Sequence, residues 1–361
     1  MTKKIYGVMP VLSTGITRLG CDPELFFTDK KGNIKGAEKV LPKNGISFGG
    51  GKIIIDGVQA ELNPSASNCR QILANNIAYS FMVLNDTLNK VGKTNTNFSG
   101  VVKIEKRELD SLSDNSKTFG CMPSKNIYLT KKEAEIKVNP EVYLFRSAGG
   151  HIHIGHNENP ETKKALKDEK TIVPLLDLIV GNTCVLIDRD PNMAERRKNY
   201  GRAGEYRTPT HGLEYRTLSN FWLRSYPLMS FVMSLARFAV RVAICSNEST
   251  PYAKLLLNKV KRDDVVKAIN TNDLELAKKN FRVLEKFIRK YVGKEEYSMS
   301  PLNPKTLSLF HHFVKKGIKY WFKKDAMHNW LHKHVSGGPG WENFLASVVK
   351  GDKKAAKTAK K

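Results

Sequence analysis

The chain has 361 residues, with 60 lysines and arginines against 35 acidic residues, a formal charge of +25 and a pI of about 9.7. That length allows one large domain or two ordinary ones, and the charge makes a polyanion an obvious partner. Nucleic acid, nucleoside triphosphates and acidic metabolites are all drawn to such a field, which says nothing about fold. Five scattered cysteines without a CxxC pair exclude a disulfide scaffold or a zinc knuckle and point to a reducing compartment.

The N-terminus has a basic start but no sustained apolar stretch, so no signal peptide is expected. Residues 20–63 read as short strands and turns: CDPELFF, the glycine-rich FGGGK, and KIIIDGVQAELNP. FGGGK lacks the GKS/T ending of a phosphate loop and is expected as a tight hairpin. Residues 66–92 switch to helical spacing, with Ile72, Ala74, Ile77, Ala78, Met82, Leu84 and Leu88 in one amphipathic helix. A polar, irregular stretch from 94 to 140 gives way to a strand pattern at VYLFRSAGGHIHIGH.

Residues 171–187 form a continuous apolar segment, expected as a buried helix despite Pro174 and Gly181. An arginine-rich segment from 188 to 204 reads as a lid entering the GEYR strand, followed by the strand GLEYRTLSNF. From Tyr226 onward the chain reads as helical. The apolar run Tyr226 to Cys245 contains Arg237 and Arg241, which argues for a core helix and against a membrane span. His328 and His332 in HNWLH, with His311, His312 and His334, lack the glutamate of a zinc HExxH site and are expected to be structural. In HHFVKKGIKYWFKK, Phe310, Phe313, Ile318, Trp321 and Phe322 are expected inward. The lysine-rich end, 351–361, reads as a basic tail, either a helix against a polyanion or a solvated end.

Chemistry enters through polar residues that recur two apart: Asp22 and Glu24, Gln59 and Glu61, His151 and His153, Glu205 and Arg207, Glu214 and Arg216. A strand repeats every two residues, so each pair is expected on one face of a sheet. Such a face cannot be packed into an apolar core without partners. Carboxylates with one or two imidazoles suit magnesium or manganese, and arginines beside them imply phosphate in between. The inferred ligand is a metal-nucleotide. A zinc hydrolase built on HIH competes, but catalytic zinc seldom needs so many carboxylates and arginines.

These motifs carry a resemblance. GCDPELFF is similar to the GPEPEFF strand of glutamine synthetase, GVQAELNP to its GQxE strand, GGHIHIGH to its HVH strand and GLEYR to its ExR strand, in the same chain order. With RRKNYGRAGEYR and TLSNFW added, residues 15 to 245 most resemble the bacteriophage amidoligases. These are carboxylate-amine ligases of the glutamine synthetase-like and glutamate-cysteine ligase superfamily.

The resemblance implies an α+β fold with a curved antiparallel sheet carrying the site on one face and helices on the other. It implies a catalytic domain over 15–245, a helical region over 246–350 and the tail over 351–361. It also implies ATP and Mg2+ (or Mn2+), and amide formation through an acyl phosphate. By the same resemblance Asp22, Glu24 and Glu61 are metal ligands, with His151 and Glu214 completing a second metal position. His153 lies near the nucleotide phosphates and Arg216 contacts the transferring phosphoryl group. Arg207, Arg196, Arg197 and Arg202 are weaker phosphate or carboxylate clamps. Asp22 is one methylene shorter than the family glutamate, and no residue is assigned to a third early glutamate of glutamine synthetase.

The expected partners are a carboxylate and an amine, free or attached to a macromolecule, with nucleic acid as a further partner of the basic surface. No membrane contact is expected, cytoplasmic location is, and oligomerisation stays open. The rival reading is a nucleic-acid-binding or virion structural protein that retains a ligase-like fold.

Overall fold

A computed structural model describes residues 7–10, 12–119, 124–135, 138–292, 304–316 and 326–331. Its first eight strands are β1 (Arg18–Cys21), β2 (Glu24–Asp29), β3 (Ile34–Lys35), β4 (Ile46–Phe48), β5 (Gly51–Asp56), β6 (Gln59–Pro64), β7 (Thr94–Asn97) and β8 (Val101–Lys103). The rest are β9 (Lys125–Asn126), β10 (Phe145–Ser147), β11 (Ile152–Gly155), β12 (Glu205–Arg207) and β13 (Gly212–Tyr215). The pairings among them are antiparallel.

The strands form two principal sheets where one curved sheet was expected. One runs β1-β11-β13-β12-β9; the other runs β3-β2-β6-β5-β4, with β7 also on β2, and β8 and β10 form a separate pair. The division falls at Asp22–Pro23. Proline has no N–H for a ladder, and the chain leaves the first sheet at Cys21 to enter the second at Glu24. The gap is bridged by the Gly149 carbonyl, which accepts from Glu24 N at 2.9 Å, and by the Pro23 carbonyl, which accepts from Leu62 N at 3.0 Å. The two sheets therefore meet at the acidic residues.

FGGGK forms the β4–β5 hairpin, with Phe48 opposite Gly51. The amphipathic helix spans Arg70–Val91 and buries Leu73, Ala74, Ile77, Phe81 and Leu84, while Ile72 and Met82 stay exposed. The apolar segment after residue 168 is helical over Glu169–Leu176, widens into a π turn at Asp177–Gly181 and closes as Asn182–Val185. Pro174 deprives the helix of one donor, and the ladder shifts register just after it. Tyr215 on β13 donates to the Asp177 carboxylate at 2.8 Å, fastening the sheet to this turn. Burial pushes the Asp177 carboxyl up to about 7, against the pull of its tyrosine donors.

The helix Tyr226–Ile244 is long and apolar enough to cross a membrane, yet 89% of its apolar window is buried inside the protein. Arg241 donates to the carbonyls of Pro10 and Met9 at 2.9 and 2.8 Å, which explains the charge in an apolar run. Helices Arg262–Asn270 and Leu274–Tyr291 join the same core. Phe310 and Phe313 are buried against Phe231, as their spacing suggests. Ile318, Trp321, Phe322, His332, His334 and the tail 351–361 lie outside the described residues.

Candidate metal and phosphate site

The register of the strands gathers the polar pairs. On β11 and β13, His153 is opposite Glu214; on β12 and β13, Arg207 is opposite Glu214. Within the second sheet, Glu24 of β2 is opposite Glu61 of β6, and Glu61 is in turn opposite Ile54 of β5. Period two then carries Asp56 and Gln59 to the same face as Glu61. Two clusters result.

The first consists of Asp22, His153 and Glu214, each offering one ligand atom within 4.8 Å of the others. His153 Nε2 lies 3.0 Å from Asp22 Oδ2, and His151 Nδ1 lies 3.1 Å from Asp22 Oδ1 and 3.6 Å from Glu214 Oε1. Both imidazoles thus reach one carboxylate, one on each oxygen. Burial alone would raise the Asp22 carboxyl, but His151 and His153 outweigh it and hold the group well below the usual carboxylate range. Burial would lower His153, and Asp22 reverses that, leaving it raised. On its far side, His153 Nδ1 is 3.1 Å from His211 Nε2.

The second cluster is Glu24, Asp56 and Glu61. Glu24 is anchored: its Oε2 accepts from Gly149 N at 2.7 Å and Gln59 Nε2 at 3.2 Å. Burial, then the charges of Glu24 and Asp22, push Asp56 up to about 7. Burial, then Asp22, Glu24 and Asp56, push Glu61 up to about 9. Three carboxylates crowded this closely require protons or a cation.

Glycine at 149 and 150 makes the approach of these segments possible. A Cβ on Gly149 would meet the His151 ring and Tyr200 Oη, and one on Gly150 would collide with the Ser219 carbonyl and the Trp222 indole. Arg216, 1% exposed, is ion-paired with Glu214, and Arg207 Nη1 lies 3.6 Å from Glu214 Oε2. Tyr200 closes the wall, its hydroxyl 2.6 Å from His151 Nε2 and 3.2 Å from Glu24 Oε1. Beside it opens a cavity of about 950 Å³ lined in part by Phe119, Asn199, Tyr200, Glu205 and Tyr206.

Several expectations are corrected. Asp22 does not share a ligand set with Glu24 and Glu61; the break at Pro23 turns it toward the histidines. Arg196 and Arg197 are buried and donate to main chain, Arg196 to Thr217 O at 3.0 Å and Leu218 O at 2.8 Å, and Arg197 also to Thr217 O. Arg202 pairs with Glu205 at 3.0 Å and with the carbonyls of Glu133 and Ala134. Arg196 and Arg197 brace the segment just after β13, Arg202 ties Glu205 to residues 133 and 134, and the expected lid contains a short helix, Met193–Asn199, pinned by the first two. Asp56, Tyr200 and His211 were not singled out by their sequence pattern.

The donor set fits a hard divalent cation: oxygen ligands dominate, with at most two imidazoles. Asp22 Oδ1, His151 Nδ1 and His153 Nε2 are buried and make no well-aligned hydrogen bond, although each lies close to another of these groups. Buried polar atoms left in this way are ordinarily met by bound water or an ion.

Two antiparallel sheets meeting at paired carboxylate clusters, with histidines and arginines at the seam, define an α+β protein with a candidate cation site between its sheets. Residues 134–331 match the family described as phage phiEco32-like COOH·NH2 ligase, type 2, and the chain belongs to that family, one of carboxylate-amine ligases. A comparison with curated proteins finds no match.

Proposed function

We propose that the protein joins a carboxylate to an amine at the expense of ATP, through an acyl phosphate, on the glutamine synthetase-like plan. The observation that carries this reading is the convergence of Asp22, His153 and Glu214 with Glu24, Asp56 and Glu61 beside Arg216 and Arg207. A phosphoryl acceptor and ATP are both anions, and cations held by these carboxylates, together with the two arginines, would let them meet.

Two Mg2+ or Mn2+ ions fit the clusters, one held by Asp22, the histidines and Glu214, the other by Glu24, Asp56 and Glu61; bound there, they would offset phosphate charge. Arg216 and Arg207 supply fixed positive charge on the same face, and Glu214 keeps both guanidiniums oriented. Gln59 and the Gly149 N–H hold Glu24 in place, so little reorganisation accompanies binding. In the reaction a carboxylate oxygen attacks the γ-phosphorus and ADP leaves. The amine nitrogen then attacks the carbonyl carbon, loses a proton and expels phosphate. The cavity beside Tyr200 gives the carboxylate and amine room. Arg196, Arg197 and Arg202 take no part in this scheme. The catalytic unit is taken to span 15–245, supported by the helices Tyr252–Leu257, Arg262–Asn270 and Leu274–Tyr291.

The test uses a carboxylate labelled with 18O. When the substrate pair is supplied with MgATP, one 18O atom should appear in the phosphate released with ADP. Amide formation with unlabelled phosphate would refute the acyl phosphate route. The nucleic-acid or virion structural alternative requires none of these groups; full function after Glu24→Gln or Arg216→Ala would favour it.

A further inference from the structure

Tyr200 stands where the two clusters meet, and its hydroxyl lies near His151 Nε2 at 2.6 Å, Glu24 Oε1 at 3.2 Å and Arg216 Nη2 at 3.4 Å. A phenol has one proton to donate and lone pairs to accept with; a carboxylate only accepts, and a guanidinium only donates. The arrangement that satisfies all three sends the tyrosine proton to Glu24 and leaves its lone pairs for Arg216 and His151. His151 then carries its proton on Nε2. Were Tyr200 to donate to His151, an oxygen lone pair would face the Glu24 carboxylate at 3.2 Å with no hydrogen between them.

A neutral imidazole protonated at Nε2 has its lone pair on Nδ1. That atom is buried, 3.1 Å from Asp22 Oδ1 and 3.6 Å from Glu214 Oε1, and neither it nor Asp22 Oδ1 is in an aligned hydrogen bond. A nitrogen lone pair facing two carboxylate oxygens out of water calls for a positive charge among them. The aromatic edge of Tyr200 against the imidazole, with ring centroids 5.7 Å apart, fixes the plane of the ring.

We propose that Tyr200 is a positioning residue: it accepts the Nε2 proton of His151, donates its own to Glu24, and so holds His151 Nδ1 as a ligand for a divalent cation shared with Asp22 and Glu214. This rests on the metal-dependent reading given above and extends it. The second imidazole of that cation position is thereby given its tautomer, and the Tyr200 hydroxyl joins it to the Glu24 cluster, so that the two ion positions are not independent. A hydrogen-bond partner of this kind orients a ligating histidine and sets its tautomer.

Two measurements on the full chain test it. Mn2+ binding is titrated for the unsubstituted protein and for Tyr200→Phe, which keeps the ring and removes the hydroxyl. The histidine-bearing position should weaken about 10–100-fold in the variant. Separately, long-range 15N correlation spectra of the unsubstituted, Mg2+-loaded protein, with His151 assigned through His151→Gln, should show the Nε2-protonated tautomer. Undiminished Mn2+ affinity in Tyr200→Phe, or a His151 proton on Nδ1 in the Mg2+-loaded protein, overturns the inference alone. If Tyr200→Phe does not fold, the tautomer decides. Absence of Mn2+ binding to the unsubstituted protein overturns the ligase reading together with this one.

Discussion

Replacing Asp56 by asparagine should make the metal-free protein more stable and its response to magnesium smaller. The Asp56 carboxyl lies with Glu24 and Glu61, and its pKa is raised from 3.8 to about 7 by burial and by the charges of Glu24 and Asp22. At about 1.36 kcal/mol per unit the upper bound on the cost of its charge is about 4 kcal/mol. Partial exposure reduces the realised cost to about 1–2 kcal/mol. Unfolding entropy of about 2.1 cal/mol/K per residue converts that into a rise in Tm of about 1–3 °C at pH 8.

The sign follows from proton linkage. A carboxyl with a raised folded pKa contributes full stability below its unfolded value and loses it as pH climbs through the folded value. The gain from Asp56→Asn should therefore shrink to about a third at pH 5. Mg2+ at about 100 times its Kd adds about 2.7 kcal/mol, or about 3–4 °C, to the unsubstituted protein, and the variant should gain far less. Scanning calorimetry with and without Mg2+ at both pH values reads all of this. A variant that is less stable at pH 8, or that responds fully to Mg2+, would refute the cluster.

Further outcomes follow from the same geometry. Glu61 and Asp56, raised to about 9 and about 7 by burial and by neighbouring carboxylates, must ionise to hold a cation. Mg2+ affinity should then strengthen from pH 6 to pH 9, with proton release visible as a buffer-dependent heat in titration calorimetry; pH-independent affinity would count against it. Arg216→Lys keeps the charge but loses the planar fork that meets Glu214 and Tyr200, and should lower kcat about 100-fold with little change in fold, as measured by ADP release. Gly150→Ala drives a methyl into the Ser219 carbonyl and Trp222 and should cost about 1–3 kcal/mol in urea unfolding; wild-type stability would show that these segments sit further apart.

Much of the site was legible because strand periodicity is rigid: once GGHIHIGH and GLEYR read as strands, each polar pair is expected on one face, and the register then sets His153 opposite Glu214. Asp56 escaped because it ends the apolar run KIIID, where a lone carboxylate looks like a hairpin terminus. Only the pairing of Asp56 with Gln59 and of Glu24 with Glu61 turns it inward. The grouping of Asp22 with Glu24 failed for the converse reason. Period two holds within a strand, and Pro23 ends the strand between them. Arg196 and Arg197 show a second limit: a run of charge does not reveal whether a guanidinium will meet phosphate or main-chain carbonyls, and here buried carbonyls of Thr217 and Leu218 take it. Tyr200 carries no periodic signal, since it follows the helix Met193–Asn199 in an irregular turn. Among the described residues beyond Tyr226 the helices were legible in kind, because their apolar faces repeat over long stretches.

The most direct measurement is anomalous diffraction from crystals grown with Mn2+ and a non-hydrolysable ATP analogue. Two manganese peaks should appear, one among Asp22, His151, His153 and Glu214 and one among Glu24, Asp56 and Glu61, with phosphate oxygens reaching both and Arg216 alongside. Manganese elsewhere on the protein, or a nucleotide bound away from this seam, would contradict the assignment.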